Sequence, residues 1–350
     1  MTKKPYLALG ITHRCNYNCI YCNPVGENFG TEAKELPFSF WKDLIDVAYE
    51  VGIKTFRITG GEPLLRKDVI KILNYIDNLG DDVRINLCTN GVLLKQFVSD
   101  LISLRHLASI RVSLDTIDCL YDGYPKCLTK EKLDAIKNLH EKGIYIRVNT
   151  VVTRRTFNEI PKIITLCLVN NLDLKLLDLY YDFPNNREYW EENFIPLISI
   201  KNYIEQIGGK KKYYYNVDGG KGIPMYYYEL DSIKIIFKDS LQGTHYHPLC
   251  KSCPEYPCQE GFYTPFVSSD GTLHPSHCLN PRFLVKMNNL TKDEIRTAMS
   301  FLLNEFEKSK HYSILPKPIQ EKCTQSFLLL KELKPAKNHR FYFRQIEGKY

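Results

Sequence analysis

The sequence predicts an α/β fold: an open, crescent-shaped partial (β/α)6 barrel, followed by a region of different build. Three observations carry this prediction. From residue 6 to about residue 180, short β-rich runs alternate with longer amphipathic segments. That is the pattern of strands joined by right-handed helical crossovers into one parallel sheet. Six strands fall in this stretch, too few to close an eight-stranded barrel. Beyond about residue 180 the alternation stops.

The strand candidates are Tyr6–Ile11, Lys54–Thr59, Arg84–Thr89, Ser109–Asp115, Tyr145–Val152 and Leu174–Leu179. Ser39–Glu50 reads as the first helix, because Phe40, Trp41, Leu44, Ile45 and Ala48 recur near helical spacing. Asp68–Leu79, Leu93–Leu104, Lys130–Lys142 and Asn158–Asn170 follow the same pattern, and Gly80 and Gly143 stand where helices stop. The runs Ile144–Val148 and Leu174–Asp178 are largely apolar, as strands covered by helices are. Further on, Asn185–Ile207 reads as helical, and Lys210–Tyr215 and Tyr226–Tyr228 flank a glycine-rich turn at Asp218–Gly222. Lys292–Ser309 reads as a helix before a basic, aromatic tail. The chain therefore divides into a barrel region over 1–180, a connecting and pocket-lining region over 181–245, and a C-terminal region over 246–350.

With 44% hydrophobic and 25% charged residues in a chain of 350, the composition is that of an ordinary globular protein. A net charge of +7 suits an anionic substrate or cofactor, although basic clusters also arise as solvated faces. Met1–Pro5 leads straight into the first strand candidate, with no apolar signal region or cleavage site. No stretch approaches the roughly 18–20 apolar residues of a membrane span. The expectation is a cytoplasmic protein in a reducing compartment, with no membrane partner. Its twelve cysteines then read as metal ligands or reactive thiols rather than a disulfide scaffold.

The motifs sit at strand ends. Cys15, Cys19 and Cys22 follow the first strand in the spacing C-x3-C-x2-C. Three thiolates so spaced can hold three corners of a cubane iron–sulfur cluster and leave one iron open; the triplet does not match a structural zinc site built from paired C-x2-C motifs. Thr59-Gly-Gly-Glu-Pro63 ends the second strand, Thr89-Asn-Gly91 the third and Val112-Ser-Leu-Asp-Thr116 the fourth, while Arg147-Val-Asn-Thr-Val-Val152 forms the fifth. In a parallel β/α sheet these ends share one edge, where such folds build their sites. Gly60 and Gly61 lack Cβ atoms, so backbone there can approach a ligand closely.

This ordered set resembles the radical S-adenosylmethionine (SAM) superfamily. Arg57–Arg66, Thr89-Asn-Gly, Val-Ser-Leu-Asp-Thr and Val148–Val152 resemble, more closely, the GTP 3′,8-cyclases of molybdenum-cofactor biosynthesis and their relatives, over roughly residues 5–180. The resemblance implies a partial (β/α)6 barrel of the TIM type with a [4Fe–4S] cluster on Cys15, Cys19 and Cys22. SAM would chelate the open iron, with Gly60, Gly61, Glu62 and Pro63 near its methionyl amine and Thr89, Ser113 and Asn149 beside its carboxylate, ribose or adenine. An external donor of the flavodoxin or ferredoxin type would supply an electron, SAM would yield a 5′-deoxyadenosyl radical, and an oxygen-sensitive enzyme would abstract hydrogen from its substrate. Arg147, on the same strand face as Asn149, is the candidate contact to a small or peptidic anionic substrate. Singly, Glu62 also reads as a solvated cap, and Ser113 and Asn149 as groups that satisfy buried backbone.

A second cysteine group, Cys250, Cys253, Cys258 and Cys278, lies among Pro and Gly turns. Its position after the barrel resembles the auxiliary-cluster region of the cyclases and of SPASM/twitch proteins, which implies a second [4Fe–4S] cluster; a four-cysteine zinc site is the alternative. His245, His247, His274 and His277 flank it without being counted as ligands. The corresponding cyclase stretch carries three cysteines and an Arg-x-Arg pair. Here Gln259–Phe266 has no arginine, Cys258 is a fourth cysteine, and the chain ends at Glu-Gly-Lys-Tyr350 rather than Gly-Gly. These departures point away from GTP cyclisation. One alternative is a maturase of a ribosomally made peptide, although little chain precedes the first strand to hold a leader-binding unit. Another is a non-catalytic cluster or zinc protein that binds RNA through Lys210–Tyr215. A solvated helix end followed by a strand is the plainer reading of that run, and nucleic acid is not the expected partner. Cys88, Cys119, Cys127, Cys167 and Cys323 show no ligand-like neighbours; Cys88 and Cys167 read as small apolar residues, and Trp190 and the tyrosines at 226–228 as core or pocket wall.

Overall fold

A computed structural model describes residues 5–22, 35–181, 187–214, 223–276, 278 and 280–320. Six strands follow one another in order: β1 (Leu7–Gly10), β2 (Thr55–Thr59), β3 (Arg84–Thr89), β4 (Leu107–Ser113), β5 (Ile146–Val152) and β6 (Asp173–Asp178). Each pairs in parallel with the next. The connections carry α1 (Phe38–Glu50), α2 (Val69–Asp77), α3 (Val98–Ser103), α4 (Lys130–Glu141) and α5 (Ile160–Val169). Each predicted strand and helix of this half is present, shifted by a few residues at its ends.

Alternation along the strands divides the sheet into two faces. Phe56 and Ile58, Ile85 and Leu87, Ile110 and Val112, Ile146 and Val148, and Leu174 and Leu176 are fully buried in the main core. Trp41, Leu44 and Ile45 of α1, Ile72, Leu73 and Ile76 of α2, and Ile163 and Leu166 of α5 belong to the same core. The intervening strand residues, with their side chains on the other face, are largely polar. That face is taken up with the site.

Beyond residue 180 come α6 (Arg187–Asn193), α7 (Ile198–Gln206), β7 (Lys210–Tyr214), β8 (Met225–Leu230), β9 (Ile233–Lys238), β10 (Thr244–Tyr246), β11 (Pro265–Val267), β12 (Thr272–Pro275), β13 (Val285–Lys286), α8 (Lys292–Lys308) and β14 (Lys310–Tyr312). The single helix expected over 185–207 is two, parted at Phe194–Leu197, where Pro196 lacks the amide a continuous helix needs. Helix α8 begins in a capping box formed by Thr291 and Glu294. The short strands extend the same sheet at both edges, giving the order β13-β12-β11-β1-β2-β3-β4-β5-β6-β9-β8-β7. Strand β9 runs parallel to β6 and β11 parallel to β1, so later chain flanks both sides of the six-stranded array. Trp190, Tyr226 and Tyr228 are core residues, as expected, and the Trp190 indole donates to the Leu179 carbonyl at 2.9 Å. The glycine-rich turn at 218–222, His277, Cys323 and the basic tail lie outside the described residues.

Candidate functional site

The four strand-end motifs are fastened to one another. The Gly61 amide donates to the Thr12 carbonyl at 2.8 Å and the Glu62 amide to the Arg14 carbonyl at 2.7 Å. A Cβ on Gly60 would stand 2.4 Å from the Thr12 oxygen, and one on Gly61 would stand 2.3 Å from the Arg14 oxygen. What approaches these glycines is therefore the backbone entering the cysteine loop. Glu62 is fully buried, against its reading as a solvated cap. Its carboxylate accepts from the Leu64 amide at 3.1 Å, the Thr89 hydroxyl at 2.8 Å and the Asn90 amide at 2.6 Å, which joins the ends of β2 and β3. Pro63 opens a short 3-10 turn, and Arg66 beyond it donates to the carbonyls of Ile11 and Leu36.

The cysteine loop leaves β1 above this brace. The Asn90 side chain donates to the Asn16 amide oxygen at 2.7 Å, and the Cys22 amide donates to the Cys19 carbonyl at 2.9 Å. Cys15 and Cys22 are exposed; Cys19 is buried, and burial pushes its thiol up to about 11. Tyr21 donates to the buried Asp115 at the end of β4, whose other oxygen accepts from the Val151 amide at 2.9 Å. Burial raises the Asp115 carboxyl above its ordinary range.

Ser113 and Asn149 are register partners on β4 and β5, on the polar face, and the Arg147 guanidinium donates to the Asn149 amide oxygen at 3.1 Å. Arg147 is not alone. Arg111 is its partner on β4, Arg57 and Lys175 stand on the same face of β2 and β6, and Lys238 does so on β9. Burial, then repulsion from Arg57 and Arg147, lowers Arg111 to about 10. Burial also lowers Lys175 to about 7, with Arg147, Lys238 and Arg57 repelling it further. The Arg57 guanidinium lies over the Tyr6 ring at 4.0 Å, and Lys238 pairs with Glu260. Sequence reasoning found only Arg147 of this row. The missed signal was a charge in the middle of each otherwise apolar strand. Cys88 also lies on this face, partnering Arg111, rather than packing as an apolar residue; Cys167 does pack so, wholly buried.

Cys250, Cys253, Cys258 and Cys278 line one cavity of ≈ 600 Å³, together with Tyr181 and Arg282. Burial pushes Cys250 up to about 11 and Cys258 and Cys278 up to about 12. Among the described flanking histidines, His247 stacks on Phe262 and stands 2.9 Å from Glu305, and His245 faces His311 across β10 and β14. Cys119 and Cys127, for which the sequence offers no partner, form a disulfide; the turn between β4 and α4 brings them together. Among the described residues no three Cys, His, Asp or Glu side chains converge closely enough to hold a metal ion as they stand.

The description "Radical SAM superfamily" matches residues 9–167 as a family model. A GTP 3′,8-cyclase of Campylobacter lari is 30% identical over 253 residues, covering 71% of this chain and 75% of that one. The chain belongs to the radical SAM superfamily. It is a radical SAM enzyme by that membership, in place of the non-catalytic cluster or zinc protein weighed above. A probable GTP 3′,8-cyclase of Methanopyrus kandleri is 35% identical over 188 residues, with 51% of this chain and 58% of that one covered. The chain thus spans little more than half the length of that relative. Among solved structures, Streptococcus suis SuiB bound to S-adenosylmethionine matches with a TM-score of 0.55 at 17% identity. The match covers 84% of this chain and 64% of SuiB, just under two thirds of its length. anSMEcpe with bound AdoMet matches with a TM-score of 0.52 at 14% identity, covering 83% and 80% of the two chains. These likenesses show the radical SAM fold, α/β with a mostly parallel sheet.

Radical SAM membership carries a [4Fe–4S] cluster and SAM as cofactors. The chain's donor chemistry fits them. The loop after β1 offers three thiols in one turn, and Glu62 with Gly60 and Gly61 fixes the backbone that bears it. The buried Cys19 thiol keeps its proton until a metal displaces it, so uptake releases a proton. No helix among the described residues is long and apolar enough to cross a membrane.

Proposed function

We propose that the chain abstracts hydrogen from an anionic substrate held on the polar face of its sheet. The observation that supports this reading is the row Arg57, Arg111, Arg147, Lys175 and Lys238, five cationic side chains set on one face. Glu260 already pairs with Lys238. Although burial raises the Tyr263 hydroxyl, Lys175, Lys238 and Arg57 bring it down to about 7. An anionic substrate would offset the charge that remains. In this proposal Cys15, Cys19 and Cys22 hold the cluster, Gly60–Pro63 adjoin the methionyl amine, and Thr89, Ser113 and Asn149 adjoin the rest of SAM. When bound, cluster and SAM supply the electron transfer that generates the 5′-deoxyadenosyl radical. The protein's own part is position: Glu62 ties the cysteine loop to the ends of β2 and β3, and Asn149 orients Arg147 toward the substrate.

The 246–350 region takes the role of an auxiliary-cluster unit, with Cys250, Cys253, Cys258 and Cys278 around a second [4Fe–4S] cluster. The 181–245 region connects it to the barrel over 1–180 and extends the polar face through Lys238. A flavodoxin- or ferredoxin-type donor supplies the electron. A second reading, cyclisation of GTP, is supported by the names of the curated relatives and by the same cationic row, whereas Gln259–Phe266, without arginine, distinguishes this chain from the cyclase pattern. SuiB bound to precursor peptide SuiA matches with a TM-score of 0.56 at 18% identity, which supports the fold of a peptide maturase and no more.

The test is dithionite-driven formation of 5′-deoxyadenosine from SAM by the anaerobically reconstituted chain, with GTP, other nucleotides and peptides as trial substrates. The proposal expects stimulation by an anionic substrate, weakened in Arg111→Met and Lys175→Met. Stimulation by uncharged compounds alone, or identical stimulation in both variants, contradicts it.

A further inference from the structure

The turn between β4 and α4 is bonded to the cysteine loop and closed on itself. The Ile20 amide, between Cys19 and Cys22, donates to the Gly123 carbonyl at 3.0 Å. Gly123 has a positive φ of 77°, and a Cβ there would stand 3.0 Å from the Ile20 side chain. The Cys119–Cys127 disulfide closes the turn over a separation of 8 residues. Its C-terminal end is fixed as well: the Asp115 amide donates to the Lys126 carbonyl at 2.7 Å, and the buried Lys132 ammonium donates to the Cys127 carbonyl at 2.6 Å.

Between these anchors stands Lys126. Its ammonium lies 5.0 Å from the centre of the Tyr21 ring and interacts electrostatically with Cys19, Asp115, Cys22 and Cys15. It forms no ion pair among the described residues. Asp115, the carboxylate in reach, is already engaged by Tyr21 and the Val151 amide. Lys132, on the facing turn of α4, adds a second positive charge nearby.

We propose that Lys126 is a cofactor-positioning residue, the counter-charge for negative charge at the first cluster site, and that the Cys119–Cys127 bond holds it there. The inference rests on Cys15, Cys19 and Cys22 being the ligands of the first cluster. Negative charge arrives there from two sources, the three thiolates once they ligate and the carboxylate of SAM. A fixed ammonium beside the site favours both.

The experiment compares the anaerobically reconstituted full chain with Lys126→Met, Lys126→Arg and Cys119→Ser/Cys127→Ser. Iron content, the midpoint potential of the first cluster without SAM, and the SAM dissociation constant are measured on each. The expected result for Lys126→Met is SAM binding weakened by about tenfold or more, the loss of one charge-assisted contact, a more negative midpoint potential, or both. Lys126→Arg restores the parent values, and the double serine variant shifts in the same direction as Lys126→Met. A shift in potential without SAM assigns the charge to the cluster; a change in SAM affinity alone assigns it to the carboxylate. Parent affinity and potential in Lys126→Met overturn the proposal, as does loss of the first cluster from both Lys126 variants, which marks a purely structural role. Loss from Lys126→Met with full uptake by Lys126→Arg supports it. Parent values in the double serine variant overturn the part given to the disulfide. If the parent chain itself binds no SAM, it is the ligand assignment that fails.

Discussion

At the scale of single residues, Glu62 and Lys175 mark the two kinds of work done on the sheet. Glu62 is an acceptor for three donors at a wholly buried position, and burial lifts its carboxyl above the usual range. Glu62→Ala strands those donors, and each buried donor left without a partner costs about 1–3 kcal/mol. A loss of at least ~2 kcal/mol in urea unfolding is expected, together with reduced iron uptake by the first site; parent stability would remove Glu62 from the brace. Lys175, depressed to about 7, carries its charge below that pH and loses it above. Anion affinity on the polar face should therefore fall as pH rises through about 7, as Lys175 loses its charge and the neighbouring Tyr263 hydroxyl, also near 7, gains one. The fall should be shallower in Lys175→Met; calorimetric titration with sulfate, whose charge is constant over this range, at several pH values reads this. Sequence reasoning placed Glu62 beside the methionyl amine of SAM, with a solvated cap as the alternative, but not in a brace to Thr89 and Asn90, which are distant in sequence. Lys126 left no sequence signal at all, since its position comes from a turn folded back onto the cysteine loop.

At the scale of elements, the half of the chain with regular alternation was legible. Strands β1 to β6 and the intervening helices lie where apolar spacing puts them, because each buries one face against the same core. The strands β10 to β13 were not legible: they have two to four residues each, too few to show a period, and β11 pairs with β1 and β10 with β14, far away in sequence. The connection from β2 to the cysteine loop makes an element-level prediction. A Cβ on Gly61 meets the Arg14 carbonyl at 2.3 Å, so Gly61→Ala must push the loop away from β2. The expected outcome is a destabilisation of about 1–3 kcal/mol with loss of iron from the first site and retention at the second. Equal iron at both sites would show that the loop takes its cluster without this close approach.

At the scale of the whole molecule, the sheet carries two cysteine groups, at the end of β1 and in the turns around β11 and β12. Both stood out in the sequence as motifs, but their relation did not, since it depends on β11 pairing with β1. Two four-iron clusters predict about eight irons per chain, falling to about four when Cys250, Cys253, Cys258 and Cys278 are replaced by Ala. Zinc in place of iron at the second group would reassign it. The central claim concerns the first group, and reductive cleavage of SAM tests it most directly. The reconstituted chain should form 5′-deoxyadenosine with dithionite, and the Cys15→Ala/Cys19→Ala/Cys22→Ala variant should form none while keeping the second cluster's spectrum. Undiminished cleavage by that variant, or no cleavage by the iron-loaded parent, would contradict the account.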